Sequence, residues 1–309
     1  MFGIHFRMDK KSPLPSLEFT HSFLSVAREG SLSGAAAELG LSQPTVGRHI
    51  RLLEQELGVS LFQRHPRGLA PTAEGTRLIP LAADIAAAAH RFGIAAQGLT
   101  GDVSGTVRIT ASVFMSHYVM PAIIADLRRD EPGIDVVLIP SDDSENLLFR
   151  EADIAVRMYP PTQLELIRRH ICDMDIAQYA TRDYIARKGF PKRFDDYGEH
   201  DIVGYDRDDR MLRLMAEHGI AMTPDMFTVR TDNQAAYWAL VQAGCGIGFA
   251  PRIPCLRQHD IVEIPFPFDI PQLPVWLAVH ERLRHVPRID RVWCAIEAGL
   301  RRQLILSTA

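Results

Sequence analysis

The stretch LSQPTVGRHIRLLEQELG, residues 41–58, decides how the N-terminal part of this chain folds. At about 100° of rotation per residue, Val46, Ile50, Leu53 and Leu57 share one narrow stripe, a core-facing side. Thr45, Arg48 and Arg51 project from roughly the opposite side. Ser42 is a good N-cap, because its hydroxyl can accept an otherwise unpaired backbone N–H. Pro44 then lies in the first turn, where its missing N–H costs nothing, so it starts the helix rather than breaking it. Gly58 ends the helix.

In isolation the same pattern fits an ordinary surface helix with a solvated charged face. Its neighbours shift the balance. Upstream, SLSGAAAELGLS (residues 31–42) predicts a short helix from Ser33 to Leu39. Ala36 is small enough for close helix packing, Gly40 turns the chain, and Leu41 is expected to fill the gap before Ser42. Before that, LEFTHSFLSVAREG (residues 17–30) predicts a first helix with Leu17, Phe19, Phe23, Leu24 and Ala27 as its buried side. Two helices joined by a short glycine turn, the second with a polar outer face, make a helix-turn-helix. Its free side carries Gln43, Thr45, Arg48 and Arg51. Arginine can bond guanine bidentately, glutamine can bond adenine, and a threonine methyl can touch that of thymine.

VSLFQRHPRGLAPT (residues 59–72) predicts a small β-hairpin, with strands over Ser60–Arg64 and Gly68–Pro71. Its tip would present Arg64, His65 and Arg67. Alone it is a plain surface hairpin; beside a helix-turn-helix it is a wing suited to phosphate or minor-groove contact. Residues 72–98, TAEGTRLIPLAADIAAAAHRFGIAAQG, then predict one long helix. Thr72 is its N-cap and Glu74 lies in its first turn. Leu78, Leu81, Ile85, Ala88 and Phe92 follow a spacing close to a heptad seam. At ~1.5 Å per residue, some 25 residues would stretch nearly 40 Å. A helix so long and striped needs a partner: the same helix of a second chain, or the surface of its own domain. Pro80 is expected to kink it.

QGLTGDVSG (residues 97–105) predicts a hinge, after which the pattern changes. Strands are expected at 106–112, 133–140 and 153–158, with helices at 117–132 and 144–152. A second set begins near Asp173, with strands at 174–181, 201–206, 226–232 and 246–252 and helices at 182–189 and 233–244. A strand at 275–280 and a terminal helix at 286–304 close the chain. Such alternation predicts βαβ units, a parallel sheet and two α/β lobes with a cleft between them.

Composition agrees with a soluble globular protein: 47% of the 309 residues are hydrophobic and 23% charged. No apolar run approaches the ~20 residues of a membrane span, so no membrane partner is expected. The start of the chain lacks a signal-peptide core. Four cysteines without a C-x-x-C pair fit a reducing cytoplasm. The net charge of −4 is unevenly spread: residues 1–70 hold 8 Lys/Arg against 6 Asp/Glu, the remainder 26 against 32. A weakly basic head implies modest affinity from phosphate contacts alone, and so binding through two or more heads at once.

From about Ser16 onward the chain resembles the LysR-type transcriptional regulators. GSLSGAAAELGLSQPTVGRHIRLLEQELGVSLFQRHPRGLAPTAEG (residues 30–75) carries the resemblance most specifically; DIAVR (153–157) and AGCGIGFAPR (243–252) are weaker signatures. Departures are Gly47 in place of a usual serine and Pro71 in place of a usual leucine, and Met8 is a candidate initiator beside Met1. The resemblance implies an α/β protein. A winged helix-turn-helix (1–71) would be joined by a linker and dimerisation helix (72–98) to a periplasmic-binding-protein-like effector domain (99–309). In that domain lobe 1 is expected at about 105–170 and 275–303, and lobe 2 at about 171–274. It also implies a bacterial regulator that binds double-stranded promoter DNA as a homodimer or homotetramer, with RNA polymerase as a further partner.

Carried over by position, Ser42, Gln43, Pro44, Thr45, Arg48 and Arg51 face the DNA. Ser112 and Ser141, each just past a strand, match the effector-cleft hydroxyls. Ligands bind at the carboxyl ends of strands in such sheets, and N–H groups at the start of a helix after Ser112 would favour an anionic effector. Tyr205, Asp232 and Asn233 are further cleft candidates, the last two equally suited to capping a helix.

Other functions are less well supported. GCGIG (residues 244–248) follows a helix and precedes a strand, the reverse of a dinucleotide fingerprint. Cys245 sits among small apolar residues, as an inert thiol does. No histidine spacing suggests a metal, and no catalytic set or cofactor is expected. RRDEP (128–132) and DRDDR (206–210) are expected to be solvated faces. The alternative is a two-lobed solute-binding or enzymatic protein with an incidental N-terminal helical domain.

Overall fold

The structure is a computed structural model that describes residues 15–66, 68–98, 103–142, 152–163, 165–217, 219, 222–253, 260–266 and 269–304. Contacts divide the described residues into two units, one ending at residue 96 and one beginning at residue 97.

In the first unit, helices α1 (Leu17–Glu29), α2 (Leu32–Leu39) and α3 (Gln43–Leu57) surround a core that includes Phe23, Val26, Ala35, Ala36, Val46, Ile50 and Leu53. The capping logic of α3 is as expected. Ser42 Oγ accepts the Thr45 N–H at 3.2 Å, Pro44 lies in the first turn, and Gly58 closes the helix in the left-handed conformation. Leu57 is only partly buried. Of the face expected for α1, Phe23 is buried and Phe19 and Leu24 pack against the core, but Leu17 is 42% exposed and Val26 is buried as well. Leu41, at 38% exposed, fills no gap in this chain. His49 was not foreseen. It points inward from α3, with Nδ1 2.8 Å from Ser22 Oγ, Nε2 3.4 Å from Glu18, and its ring against Phe19. A buried imidazole is tolerated there because both nitrogens find partners.

Strands β1 (Phe62–His65) and β2 (Gly68–Pro71) pair antiparallel, from Phe62↔Pro71 to His65↔Gly68. Helix α4 (Ala73–Gly98) follows. Leu61, fully buried, joins three elements. Its N–H donates to the Glu54 carboxylate of α3 at 2.7 Å, and its carbonyl accepts the Thr72 N–H at 2.9 Å. Thr72 caps α4 by accepting the Gly75 N–H at 3.0 Å. A Cβ on Gly75 would lie 2.2 Å from the Leu61 carbonyl, so only glycine permits this approach. Along α4, Leu81 (58%), Ile85 (39%) and Phe92 (77%) are exposed. By length and composition alone α4 is apolar enough to cross a membrane, contrary to the expectation from its sequence; alanine supplies much of that apolarity.

In the second unit a five-stranded sheet has the order β4 (Ile134–Pro140), β3 (Gly105–Ala111), β5 (Ile154–Arg157), β12 (Leu273–His280), β6 (Leu166–Met174). Strand β3 is parallel to β4 and β5, but β12 runs antiparallel to β5 and β6, so the sheet is mixed rather than parallel. Strand β12 returns from the other lobe and so enters in the opposite direction. Helices α5 (Val113–Tyr118) and α6 (Met120–Asp130) replace the single helix expected, and α10 (Pro287–Leu304) packs on α6 and β6.

The other lobe holds β7 (Ile176–Thr181) between β10 (Gly248–Pro251) and β11 (Ile261–Ile264), all antiparallel, and the parallel pair β8 (Ile202–Gly204) and β9 (Phe227–Arg230). Helices α7 (Arg182–Lys188), α8 (Arg210–Glu217) and α9 (Gln234–Gln242) complete it. Strands β6 and β11 and helix α8 were not anticipated, and the sheets change over at Asp175 rather than near residue 171. The GCGIG glycines do serve a tight turn: a Cβ on Gly246 would meet the Asp201 carbonyl at 2.4 Å. Residues 144–151 of the helix expected at 144–152, and the centre of the 97–105 hinge, lie outside the described residues.

Candidate functional site

Two surfaces carry the residues singled out above. On α3, Val46, Ile50 and Leu53 face the core, which leaves Ser42, Gln43, Pro44, Arg48 and Arg51 exposed and Thr45 partly so. Ser42 and Thr45 share a hydroxyl contact of 2.7 Å at the helix start, and Arg51 Nε donates to the Gly47 carbonyl at 3.3 Å. The four side chains Gln43, Thr45, Arg48 and Arg51 thus lie along one solvent-facing strip of a helix capped at both ends. On the hairpin, Arg64 and His65 are exposed; Arg67 lies outside the described residues. Glu54 ties that hairpin to α3 by accepting the N–H of Leu61, and of Phe62 at 3.4 Å. Wing and helix are therefore joined through one side chain.

The second surface is a cavity of about 400 Å³ in the second unit. Ser112, Ser141 and Tyr205 all line it. Asp232 and Asn233 do not, because their side chains are used in the backbone. Asp232 Oδ1 accepts the N–H groups of Asp206, Arg207 and Asp208 at 3.0, 3.0 and 3.2 Å, and Asn233 caps α9 by accepting the Ala236 N–H at 2.9 Å. The backbone donations from Arg207 and Asp208 hold the Asp232 carboxyl below the usual carboxylate range.

Charged lining residues were missed. Arg157, the last residue of β5, is 2% exposed; its guanidinium donates to Thr110 Oγ1 at 3.0 Å and to the Val156 carbonyl at 3.1 Å. Burial holds it below arginine's usual pKa, with the nearby Tyr159 and Asp142 acting the other way. Asp208 and Arg210 also line the cavity, so part of DRDDR borders it, while Asp206, Arg207, Asp209 and Arg210 are exposed as expected. Asp208 and Arg210 form an ion pair, with Arg210 Nε 2.9 Å from each Asp208 oxygen; this hydrogen bonding lowers the Asp208 pKa and raises that of Arg210. Met158, Met211, Met215, Phe114, Phe249 and Ile270 make most of the remaining wall apolar. The start of α5 is less available to an anion than expected. Its Val113 N–H already donates to Asp142 Oδ1 at 3.0 Å, and its Met115 N–H to Ser112 Oγ at 3.3 Å.

This order of elements, a helix-turn-helix with a wing, a long helix and a two-lobed domain around a cavity, matches known proteins. Residues 17–76 match the bacterial regulatory helix-turn-helix protein model of the lysR family, and residues 100–301 match the LysR substrate binding domain. The chain belongs to the LysR family. Among LysR-type relatives, it is 26% identical to the transcriptional regulator PtxR of Pseudomonas aeruginosa, over 88% of each chain. It is 28% identical to CrgA of Neisseria meningitidis over 59% of this chain, an alignment spanning 61% of that regulator. Full-length CbnR, solved in complex with its target DNA, shares the fold, with a TM-score of 0.60 and 19% identity over 92% of this chain and 99% of that one. Within the LysR frame, the α3 strip belongs to the helix-turn-helix segment and the cavity to the substrate-binding segment.

Proposed function

We propose that this LysR-family chain is a sequence-specific transcription regulator that binds promoter DNA through α3 and the wing and answers to a small organic anion in the cavity. The observation that carries the first half is the solvent-facing strip of Gln43, Thr45, Arg48 and Arg51 on a helix whose opposite stripe is buried. Those side chains have the donors, acceptors and methyl group that read base edges in a major groove. Exposed Arg64 and His65 at the wing tip would contact phosphates, as would Ser42 at the helix start beside Pro44. The second half rests on Arg157, a desolvated cation that an anion in the cavity would stabilise, with Ser112 and Ser141 in the same lining. No catalytic role is assigned to any residue.

The exposed apolar side chains of α4 support self-association through that helix, which also places two heads on one DNA. A cytoplasmic location follows from the proposed DNA binding. The test is fluorescence anisotropy with DNA from beside the protein's own gene. Arg51→Ala is expected to lose roughly 5- to 150-fold in specific affinity, as a lost base contact does. Equal affinity of variant and wild type at matched salt would overturn the assignment of α3.

A further inference from the structure

Tyr205 stacks on Tyr237 with ring centroids 5.0 Å apart and planes within 10° of parallel. Tyr237 is 2% exposed, and its hydroxyl accepts the Phe249 N–H at 2.9 Å, so the lower ring is fixed. Tyr205 follows β8, and the next three backbone N–H groups all donate to Asp232 Oδ1. The upper ring is thus anchored through its backbone as well as by its neighbour. Tyr205 lines the cavity and Tyr237 does not, which puts the Tyr205 ring, and not the Tyr237 ring, within a ligand's reach.

We infer that Tyr205 is a stacking platform, and that the ligand of this cavity is a carboxylate carried on a planar aromatic ring, lying on Tyr205 as the third layer of the stack. This rests on the effector-cavity reading above and names the ligand class. An offset parallel ring gains from the quadrupole of Tyr205 beyond its buried area, which a saturated ring of the same outline does not. Met211 and Met215 in the same wall add polarisable sulfur near such a ring. Burial keeps the Tyr205 phenol neutral well above its usual range, so it does not oppose a carboxylate. Two carboxylates share the lining, Asp142, which accepts the Val113 N–H, and Asp208, which is paired with Arg210; the polar end of the ligand has Arg157, Ser112 and Ser141 to meet. A cavity of about 400 Å³ has room for two fused rings.

The test is titration calorimetry on the full chain with 2-naphthoate and its decahydro counterpart, which share the carboxylate and differ in planarity. The aromatic acid is expected to bind roughly three- to tenfold more tightly, against the hydrophobic trend, in wild type and in Tyr205→Phe. Tyr205→Ala is expected to erase that preference, while Ser112→Ala weakens both acids alike. Equal binding of the two acids to wild type, or a preference that survives Tyr205→Ala, would overturn the inference. Adipate, an acyclic anion, forms a third arm. Binding of adipate but of neither ring acid overturns the ring class and leaves the anionic effector standing; binding of none of the three overturns both.

Discussion

Glu54, on α3, accepts the backbone N–H of Leu61, at the foot of the wing, at 2.7 Å. Leu61 in turn accepts from Thr72, the cap of α4. One carboxylate therefore links the proposed DNA-reading helix, the wing and the long helix. Glu54→Ala would leave the buried Leu61 N–H unpaired. It is expected to cost the first unit about 1–3 kcal/mol, with Glu54→Gln recovering part by restoring an acceptor. A chain of two units need not unfold in one step, so the measurement is amide hydrogen exchange across residues 17–76 in denaturant. Unchanged protection of the Leu61 amide in Glu54→Ala would show that the bond contributes nothing.

Two glycines in the same unit are expected to respond in opposite directions. At Gly47 an added Cβ would lie 3.5 Å from Leu32 Cδ1, an ordinary contact in a helix interior. Gly47→Ala is expected to stabilise by about 0.5–1 kcal/mol. At Gly75 the same methyl would overlap the Leu61 carbonyl, so Gly75→Ala is expected to destabilise and to loosen the start of α4. Thermal unfolding of the two variants beside wild type reads both signs.

Local features of α3 were legible because each device lies within a few residues of what it acts on: the Ser42 cap, Pro44 in the first turn, the Gly58 stop. His49 was not, because its partners Ser22 and Glu18 belong to α1. Strand β6 was missed for a related reason: as an edge strand paired only with β12 it carries a run of exposed residues, Ile167 to His170, and shows no alternation. In the cavity, Ser112 and Ser141, which the family resemblance pointed to at strand ends, are both in the lining. Arg157 read as one more residue of a strand, and Asp208 and Arg210 as solvated charge, because convergence on a cavity is a property of the fold and not of spacing. Asp232 showed the reverse error, a polar residue in the right neighbourhood whose side chain is already used by the backbone.

Self-association through α4 predicts a specific weakness. Ile85 is 39% exposed and lies in the same seam as Leu81 and Phe92. A charge placed there would be desolvated on pairing, where burial of the isoleucine is worth about 1.5–3 kcal/mol. Ile85→Asp is expected to weaken dimerisation at least about tenfold. Sedimentation equilibrium of the full chain measures it, and an unmutated chain that remains monomeric at high concentration would remove α4 from the interface.

Asp232 gives a prediction with a pH signature. It gathers the N–H groups of residues 206–208, and that segment carries Tyr205 and Asp208 into the cavity wall. Those donations place its folded-state pKa below its unfolded one. The stabilisation is then fully present above the ordinary aspartate value near about 4, and is lost as pH falls through the lower folded-state value. Asp232→Ala should therefore raise amide exchange at residues 206–208 relative to wild type at neutral pH, and the two proteins should converge at strongly acidic pH. Ligand affinity in Asp232→Ala should fall as well, although the residue touches no ligand, because Tyr205 would no longer be anchored from behind. Exchange at residues 206–208 that is identical in variant and wild type at neutral pH would show that the wall is held by other contacts.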